Sequence, residues 1–469
     1  MLQPILHELG LVSLYTSPLD TKLLCSQRFV RLFAYGGSTL ILASFLSALG
    51  ISDDRIGLFM TLTLVGDVVI SFFLTLFADR LGRKAVLLLG SALMCGSGVV
   101  FALSGNFWVL LAAAVLGVIS PGGNEIGPFR AVEESTIAHL TAKEHMSDIY
   151  AWYSLIGTAG TALGMMVCGW VMSVLQDAQK WEFVPACRVV FVMYAGVGAV
   201  KFVLTMGLSK SVEVEKKTTK DTTTNGNGNG NGSSETDPLL ESNAQQEVVK
   251  PKQRKLFFLP GVQAELVGLV TSLLLLFGLD SFGSSLASLS WITYYFRRKF
   301  GMSDGELGSL FSITSIIQAT SMLLASSIAK RFGNVRTMVF THLPSCIFLA
   351  TMSIPNSLPL AMALLIGRAC TQNMDVAPRA AFLAEALPAE QRTAIMGTIN
   401  VVKTTASSLA PLLTGVLSSG GKLWVSFVLA GCLKIVYDLG ILVTFGGMER
   451  ENRRKARALE RAAEDSENA

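Results

Sequence analysis

The chain has 469 residues, 51% of them hydrophobic and 15% charged, with a net charge of +4. So little charge cannot cover the surface of a soluble protein of this length. The small net charge also gives no basis for binding nucleic acid. Apolar stretches of roughly 20 residues, each enough to cross a bilayer as a helix, recur along the chain. They fall at 29–50, 55–78, 84–104, 107–137, 147–175, 187–208, 264–296, 304–329, 337–354, 358–386, 393–419 and 422–447. Helix is the expected form, because an open strand in lipid leaves backbone groups unpaired.

In chain order, residues 1–28 form an N-terminal tail, too polar and broken for a cleavable signal, so the first span is expected to start insertion. Asp67 lies near the middle of the second span. The run Phe77-Ala78-Asp79-Arg80-Leu81-Gly82-Arg83-Lys84 then joins two apolar stretches. Two spans joined by so short a turn form a hairpin, and a basic turn reads as cytoplasmic. The fourth span contains Ser120-Pro121-Gly122-Gly123-Asn124-Glu125-Ile126-Gly127-Pro128-Phe129-Arg130, whose prolines and glycines should interrupt the helix. Interrupted helices are tolerated where the backbone lines a cavity or faces protein, so Asn124, Glu125 and Arg130 are candidate solute or proton groups. Glu133 and Glu134 follow toward the inner end and are candidate gating acids. Gly157, Gly160, Gly164 and Gly169 on the fifth span should let helices approach closely. Lys201 and Arg188 are expected to snorkel to an interface.

Residues 209–263 differ in kind: lysines, an Asn-Gly run, then Ser, Glu and Pro. This composition cannot bury a core and is expected to be a disordered cytoplasmic linker. Within it, Glu235-Thr236-Asp237-Pro238-Leu239-Leu240 has the acidic-dileucine form read by sorting adaptors for vacuoles or lysosomes.

Residues 264–447 repeat the first half, residues 29–208. Leu49-Gly50-Ile51-Ser52-Asp53 matches Phe300-Gly301-Met302-Ser303-Asp304, an offset of 300 − 49 = 251. At the same offset Phe77-Ala78-Asp79-Arg80-Leu81-Gly82 matches Ile328-Ala329-Lys330-Arg331-Phe332-Gly333. In the second half Asp280 lies mid-span between Gly278 and Gly283. Arg368, Gln372, Asn373, Asp375 and Arg379 share the tenth span with Pro378, and Asp375 and Arg379 are spaced i,i+4 for pairing. Asn124 and Asn373 differ by 249, as do Arg130 and Arg379, so the halves could present related groups to one central site. Lys403 lies about three turns into the eleventh span, roughly 15 Å deep. Lys434 and Asp438 are i,i+4 in the last span and are expected to pair with each other. A C-terminal tail, 448–469, follows, basic from Arg450 to Arg461. Basic residues concentrate on the side of both termini, which are expected to be cytoplasmic. Arg297-Arg298-Lys299 is an exception on the opposite side.

The loop Phe77–Lys84 and the two matched halves resemble the major facilitator superfamily. The resemblance implies an all-α membrane protein of twelve transmembrane helices in two pseudo-symmetric six-helix halves. It also implies that Asp79, with Arg80, Arg83 and Arg331, gates the cytoplasmic end, Asp79 facing the start of the eleventh span near Thr393. Arg368-Ala369-Cys370-Thr371-Gln372 resembles the family's fourth-span signature, although in the first half Val118 takes the arginine's place. The glycine-rich fifth span lacks the Gly-Pro pair of the family's antiporter signature.

These residues lead to the expectation of a secondary transporter that moves a small solute across a lipid bilayer. A proton is the expected coupling ion, because a desolvated carboxylate exchanges protons near neutral pH, with Glu125, Asp375 and Asp280 as carriers. A non-transporting nutrient sensor on the same fold is the alternative. No phosphate-cradling Gly-Lys-Ser/Thr loop is present. The seven cysteines are scattered, and His7, His139, His145 and His342 form no metal or nucleophile constellation in the sequence. Enzyme activity, cofactors and a metal site are therefore not expected. The expected membrane is vacuolar, lysosomal or plasma.

Overall fold

The structure, a computed structural model, describes residues 11–117, 119, 128–142, 144–213 and 267–467, some helical stretches by backbone alone. Among these the chain is helical, with no strand. A short α1 (Leu11–Thr16) precedes α2 (Leu19–Ala48), α3 (Asp53–Leu81), α4 (Arg83–Leu103), α5 (Phe107–Gly117), α6 (Pro128–Leu140), α7 (Met146–Ser173) and α8 (Phe183–Met206). The second half holds α9 (Val267–Leu286), α10 (Leu289–Phe300), α11 (Asp304–Phe332), α12 (Asn334–Thr351), α13 (Leu358–Thr371), α14 (Val376–Ala386), α15 (Ala389–Ser419) and α16 (Leu423–Glu467). Seven described helices are long and apolar enough to cross a membrane. One of these, Val267–Phe300, is made of α9 with α10, and the other crossings include two made of paired shorter helices: α5 with α6, and α13 with α14.

Each half thus supplies six crossings, and the backbone keeps the repeat register. Gly50 and Gly301 have φ of +78° and +66°, and Gly82 and Gly333 have +94° and +98°. Both pairs are 251 apart, and this left-handed backbone favours glycine. Each glycine sits where one helix ends and the next begins.

Three boundaries depart from the sequence reading. The first helix begins at Leu19, ten residues before position 29, because polar residues there find partners: Asp20 accepts from the Ser209 hydroxyl at 2.6 Å and the Ser209 N–H at 2.8 Å. Residues 209–213, assigned by composition to the linker, are docked. Glu213 accepts from the backbone N–H of Arg83 and Lys84 at 2.8 and 3.0 Å, capping α4. The seventh crossing breaks at Ala287-Ser288 rather than continuing. The rest of the proposed linker, including Glu235, Leu239 and Leu240, lies outside the described residues.

Buried apolar side chains form three clusters. The largest, at the end of the bundle away from the termini, draws on both halves, with Phe45, Phe59, Phe101 and Phe191 packed with Trp291, Phe296, Phe311 and Phe427. At the terminal end each half has its own: Leu24, Val86, Phe129 and Tyr153 in the first, Phe277, Met338, Phe382 and Tyr437 in the second. Close approach between the halves follows the same pattern. A Cβ on Gly57 would lie 2.6 Å from the Pro411 carbonyl oxygen and 2.8 Å from Gly415 Cα. Its repeat mate Gly308 would meet the Met165 carbonyl oxygen at 2.5 Å and Gly169 Cα at 2.9 Å. Small residues therefore set both contacts, α3 on α15 and α11 on α7.

Candidate solute and ion-coupling site

The tenth crossing is interrupted in its polar stretch. Helix α13 ends at Thr371, Gln372–Asp375 form turns, and α14 restarts at Val376 with Pro378 in its first turn. Proline has no N–H to give a preceding turn and is tolerated at a helix start. The fourth crossing likewise resumes at Pro128. Asn124 and Glu125 lie outside the described residues.

The break brings Asp375 and Arg379 together with Asp280 of α9. Arg379 pairs with Asp375 one turn back, and its second terminal nitrogen lies 3.4 Å from Asp280. The other Asp280 oxygen takes a 2.5 Å hydrogen bond from Lys434 of α16. Lys403 of α15 lies 5.8 Å from the centre of the Phe277 ring, which the Arg379 guanidinium also faces at 5.7 Å. Asn373 donates to Gln318 of α11 at 3.3 Å. The Gln372 carbonyl oxygen is buried without a hydrogen-bond partner among the described residues. Arg368 is buried, and no described acid pairs with it.

The expected Lys434–Asp438 pair is not formed. Lys434 turns to Asp280, and Asp438 accepts from His342 of α12 at 3.0 Å. Each charge finds a partner on another helix, which ties α16 to α9 and α12.

A matching cluster occupies the first half. Glu133 of α6, fully buried, meets Arg31 of α2 at 2.6 Å and Lys201 of α8 at 3.3 Å, and accepts from the Tyr153 hydroxyl of α7 at 2.7 Å. Arg28 stacks over the Tyr153 ring at 4.7 Å. Lys201 therefore does not snorkel: it is 1% exposed, and an ion pair inside the bundle replaces water at its ammonium. These described partners of Glu133, expected from the sequence to be a gating acid, all belong to its own half. Glu134 pairs with Arg130 at 2.7 Å, within one helix.

The two clusters are related by the repeat with acid and arginine exchanged. The first crossing gives Arg31 and the fourth Glu133; the seventh gives Asp280 and the tenth Arg379. Each is completed by a lysine three residues after a packed glycine, Gly198–Lys201 and Gly431–Lys434, which lie against Cys95 and Cys346. A buried charge must be paired to persist, and here every helix contributing one is held by its partners.

Hydrogen bonds between described residues of the two halves all lie at the end away from the termini. Asp53, first in α3, accepts from Tyr294 at 2.9 Å, Arg298 at 2.6 Å and Ser418 at 2.6 Å. Asp304, its repeat mate 251 residues on, pairs with Arg297 and accepts from Gln176 at 2.7 Å. Tyr294 also meets Ser47, Ser290 donates to the Thr39 carbonyl, and the Leu412 N–H donates to Thr61. This gives the exceptional basic run its partners: Arg297 pairs with Asp304 and Arg298 with Asp53, while Lys299 donates to the Ser353 and Pro355 carbonyls. Sequence reasoning missed these contacts between the halves, although the repeated Ser-Asp pair carried them.

Asp67 is buried within α3, and Arg331 is exposed at the end of α11. The backbones of Asp79 and Arg80 are helical, but their side chains, with those of Lys330 and Thr393, lie outside the described set. Arg83 starts α4, its N–H held by Glu213.

The sequence matches the model of the Major Facilitator Superfamily twice, over residues 24–287 and 273–465. An uncharacterized membrane protein of Saccharomyces cerevisiae, YJR124C, is 37% identical over 435 residues, covering 92% of this chain and 95% of that one. The fold is similar to a bacterial homolog of the human lysosomal transporter Spinster, solved inward-facing and occupied, with a TM-score of 0.66 at 14% identity, covering 90% and 95% of the two chains. It is equally similar to the nucleoside transporter NupG, solved as a point mutant, with a TM-score of 0.66 at 12% identity, covering 91% and 99%. At such identities the likeness concerns the fold alone. Twelve crossings in two repeats, matched by the family over nearly their whole length, place this chain in the Major Facilitator Superfamily of membrane transporters.

Proposed function

We propose that this transporter works by alternating access, coupled to protons, with the solute site between the broken fourth and tenth crossings. The observation that carries this reading is the division of the apolar core: one cluster shared by both halves at one end, separate clusters at the other. A bundle joined at one end only can rock about that contact. With both termini cytoplasmic, the conformation described is closed to the outer side. The solute-facing and proton-facing groups are Asn124, Glu125, Arg130, Asp280, Arg368, Gln372, Asn373, Asp375, Arg379, Asp67 and Lys403. Asp79, Arg80, Arg83 and Arg331 are available to gate the terminal end once it closes.

The coupling step rests on Arg379, which is shared by Asp280 and Asp375. A proton on either carboxyl removes one claim on the guanidinium and leaves it able to hold an anionic group of the solute. Arg368, buried without an acid partner among the described residues, adds a second cation and favours an organic anion. The dileucine sequence points to delivery to a vacuole or lysosome through sorting adaptors.

The test is flux into proteoliposomes of purified protein across solute classes, with and without a pH gradient. Uptake that follows the gradient and is lost in Asp375→Asn supports the reading. Uptake indifferent to pH removes the proton. Solute binding with no uptake under any gradient sinks transport and favours the sensor.

A further inference from the structure

We propose that His342, Cys346 and Asp438 form a binding site for a divalent transition metal of the zinc class. His342 and Cys346 are one helical turn apart on α12, so both side chains leave the same face. Asp438 reaches them from α16. The imidazole Nδ1 lies 3.0 Å from the carboxylate and 3.5 Å from the Cys346 sulfur, and the sulfur lies 3.4 Å from the carboxylate. In a tetrahedral site with typical zinc–ligand bonds of about 2.0 Å to nitrogen or oxygen and about 2.3 Å to sulfur, donors sit about 3.3–3.6 Å apart. The three atoms therefore already stand close to the spacing of one face of such a tetrahedron, with little movement required.

The donor set is selective. A thiolate and an imidazole favour zinc, cobalt or copper over magnesium or calcium. One thiolate and one carboxylate balance a divalent charge, which suits a site where all three residues are buried. Buried charge is costly unless paired or bound to metal. A fourth position stays open, as in zinc sites that exchange a ligand. Tyr437, next to Asp438, has a buried hydroxyl without a hydrogen-bond partner among the described residues. Its ring stands edge-on to the imidazole, with centroids 6.2 Å apart. The charged neighbours are Lys434, one turn from Asp438 and engaged with Asp280, and Arg379, whose guanidinium lies 5.8 Å from the centre of the Tyr437 ring. The three donors belong to no pair of the Asp280–Arg379 cluster, and that cluster lies alongside, so the site rests on the donors' own geometry.

Full-length protein without a histidine tag, purified in detergent and stripped with chelator, is titrated with Co2+. The expected result is one equivalent bound, with thiolate-to-cobalt charge transfer in the near ultraviolet and visible ligand-field bands of four-coordination. Cys346→Ser should abolish the charge-transfer band, and Asp438→Asn should weaken binding at least about tenfold. Cys370→Ser, at an exposed cysteine of the same half, should leave both unchanged. Should either site variant fail to fold, the parent titration and its zinc content by elemental analysis decide alone. Absence of charge transfer in the parent, or an unaltered band in Cys346→Ser, overturns the proposal and leaves a hydrogen-bonded Cys–His–Asp triad.

Discussion

Asp280 receives Lys434 on one oxygen and Arg379 on the other. Changing it to asparagine keeps the volume but leaves two cations facing a neutral group away from water. Breaking a buried pair from one side costs about 3–5 kcal/mol. Asp280→Asn should therefore lower the melting temperature in detergent strongly. Adding Lys434→Met to Asp280→Asn removes one stranded charge, so the double variant should melt above Asp280→Asn alone. Additive losses in that cycle would show that the two groups are not coupled. The first half offers the same experiment with Glu133→Gln and Lys201→Met. There the remaining cations, Arg31 and Arg28, stand near the vacated acid, so the rescue should be smaller.

The glycine pairs Gly57–Gly415 and Gly308–Gly169 set how closely α3 approaches α15 and α11 approaches α7. Leucine at Gly57 would drive its side chain into the α15 backbone, which cannot give way as a flexible side chain can. Gly57→Leu should open the end away from the termini. A cysteine placed at Ser47, which contacts Tyr294 across the halves, should then react faster with a membrane-impermeant thiol reagent. Unchanged reactivity would mean that this contact does not hold the end closed. Much at this scale was readable from the chain. The 251-residue register predicted both repeats because the left-handed glycines Gly50, Gly82, Gly301 and Gly333 and the Ser-Asp starts are local requirements. Prolines 128 and 378 marked helix restarts for the same reason. The break at Ser288 has no proline and escaped notice. Charge partners escaped too, because Lys434 is 154 residues from Asp280 and Arg31 is 102 from Glu133. Local spacing instead favoured the i,i+4 neighbour Asp438 for Lys434. Likewise His342 and Cys346 share a face by spacing alone, but Asp438 joins them only through packing of α12 on α16.

Over the whole molecule, two aspartates related by the repeat bridge the halves at one end, but not equally. Asp53 gathers Tyr294, Arg298 and Ser418, all from the other half. Asp304 reaches across with one contact, Gln176, while Arg297 belongs to its own half. A hydrogen bond to a charged group contributes about 1.5–3 kcal/mol, and about 1.4 kcal/mol is a factor of ten in an equilibrium constant. If the halves rock between two states, Asp53→Asn should shift the balance away from the described state by about tenfold or more. Asp304→Asn should shift it less, since fewer of its bonds distinguish the states, and only differential contacts move such an equilibrium. Spin labels at Lys180 and Lys422, exposed on opposite halves at that end, would report the change as a longer distance population. Growth of that population in Asp53→Asn beyond Asp304→Asn is expected. Equal growth in both would mean that the number of bonds each aspartate makes across the halves does not set the balance. No growth in either would mean that the apolar cluster of Phe45, Trp291 and Phe427 and the glycine contacts hold the end closed without help from the aspartates.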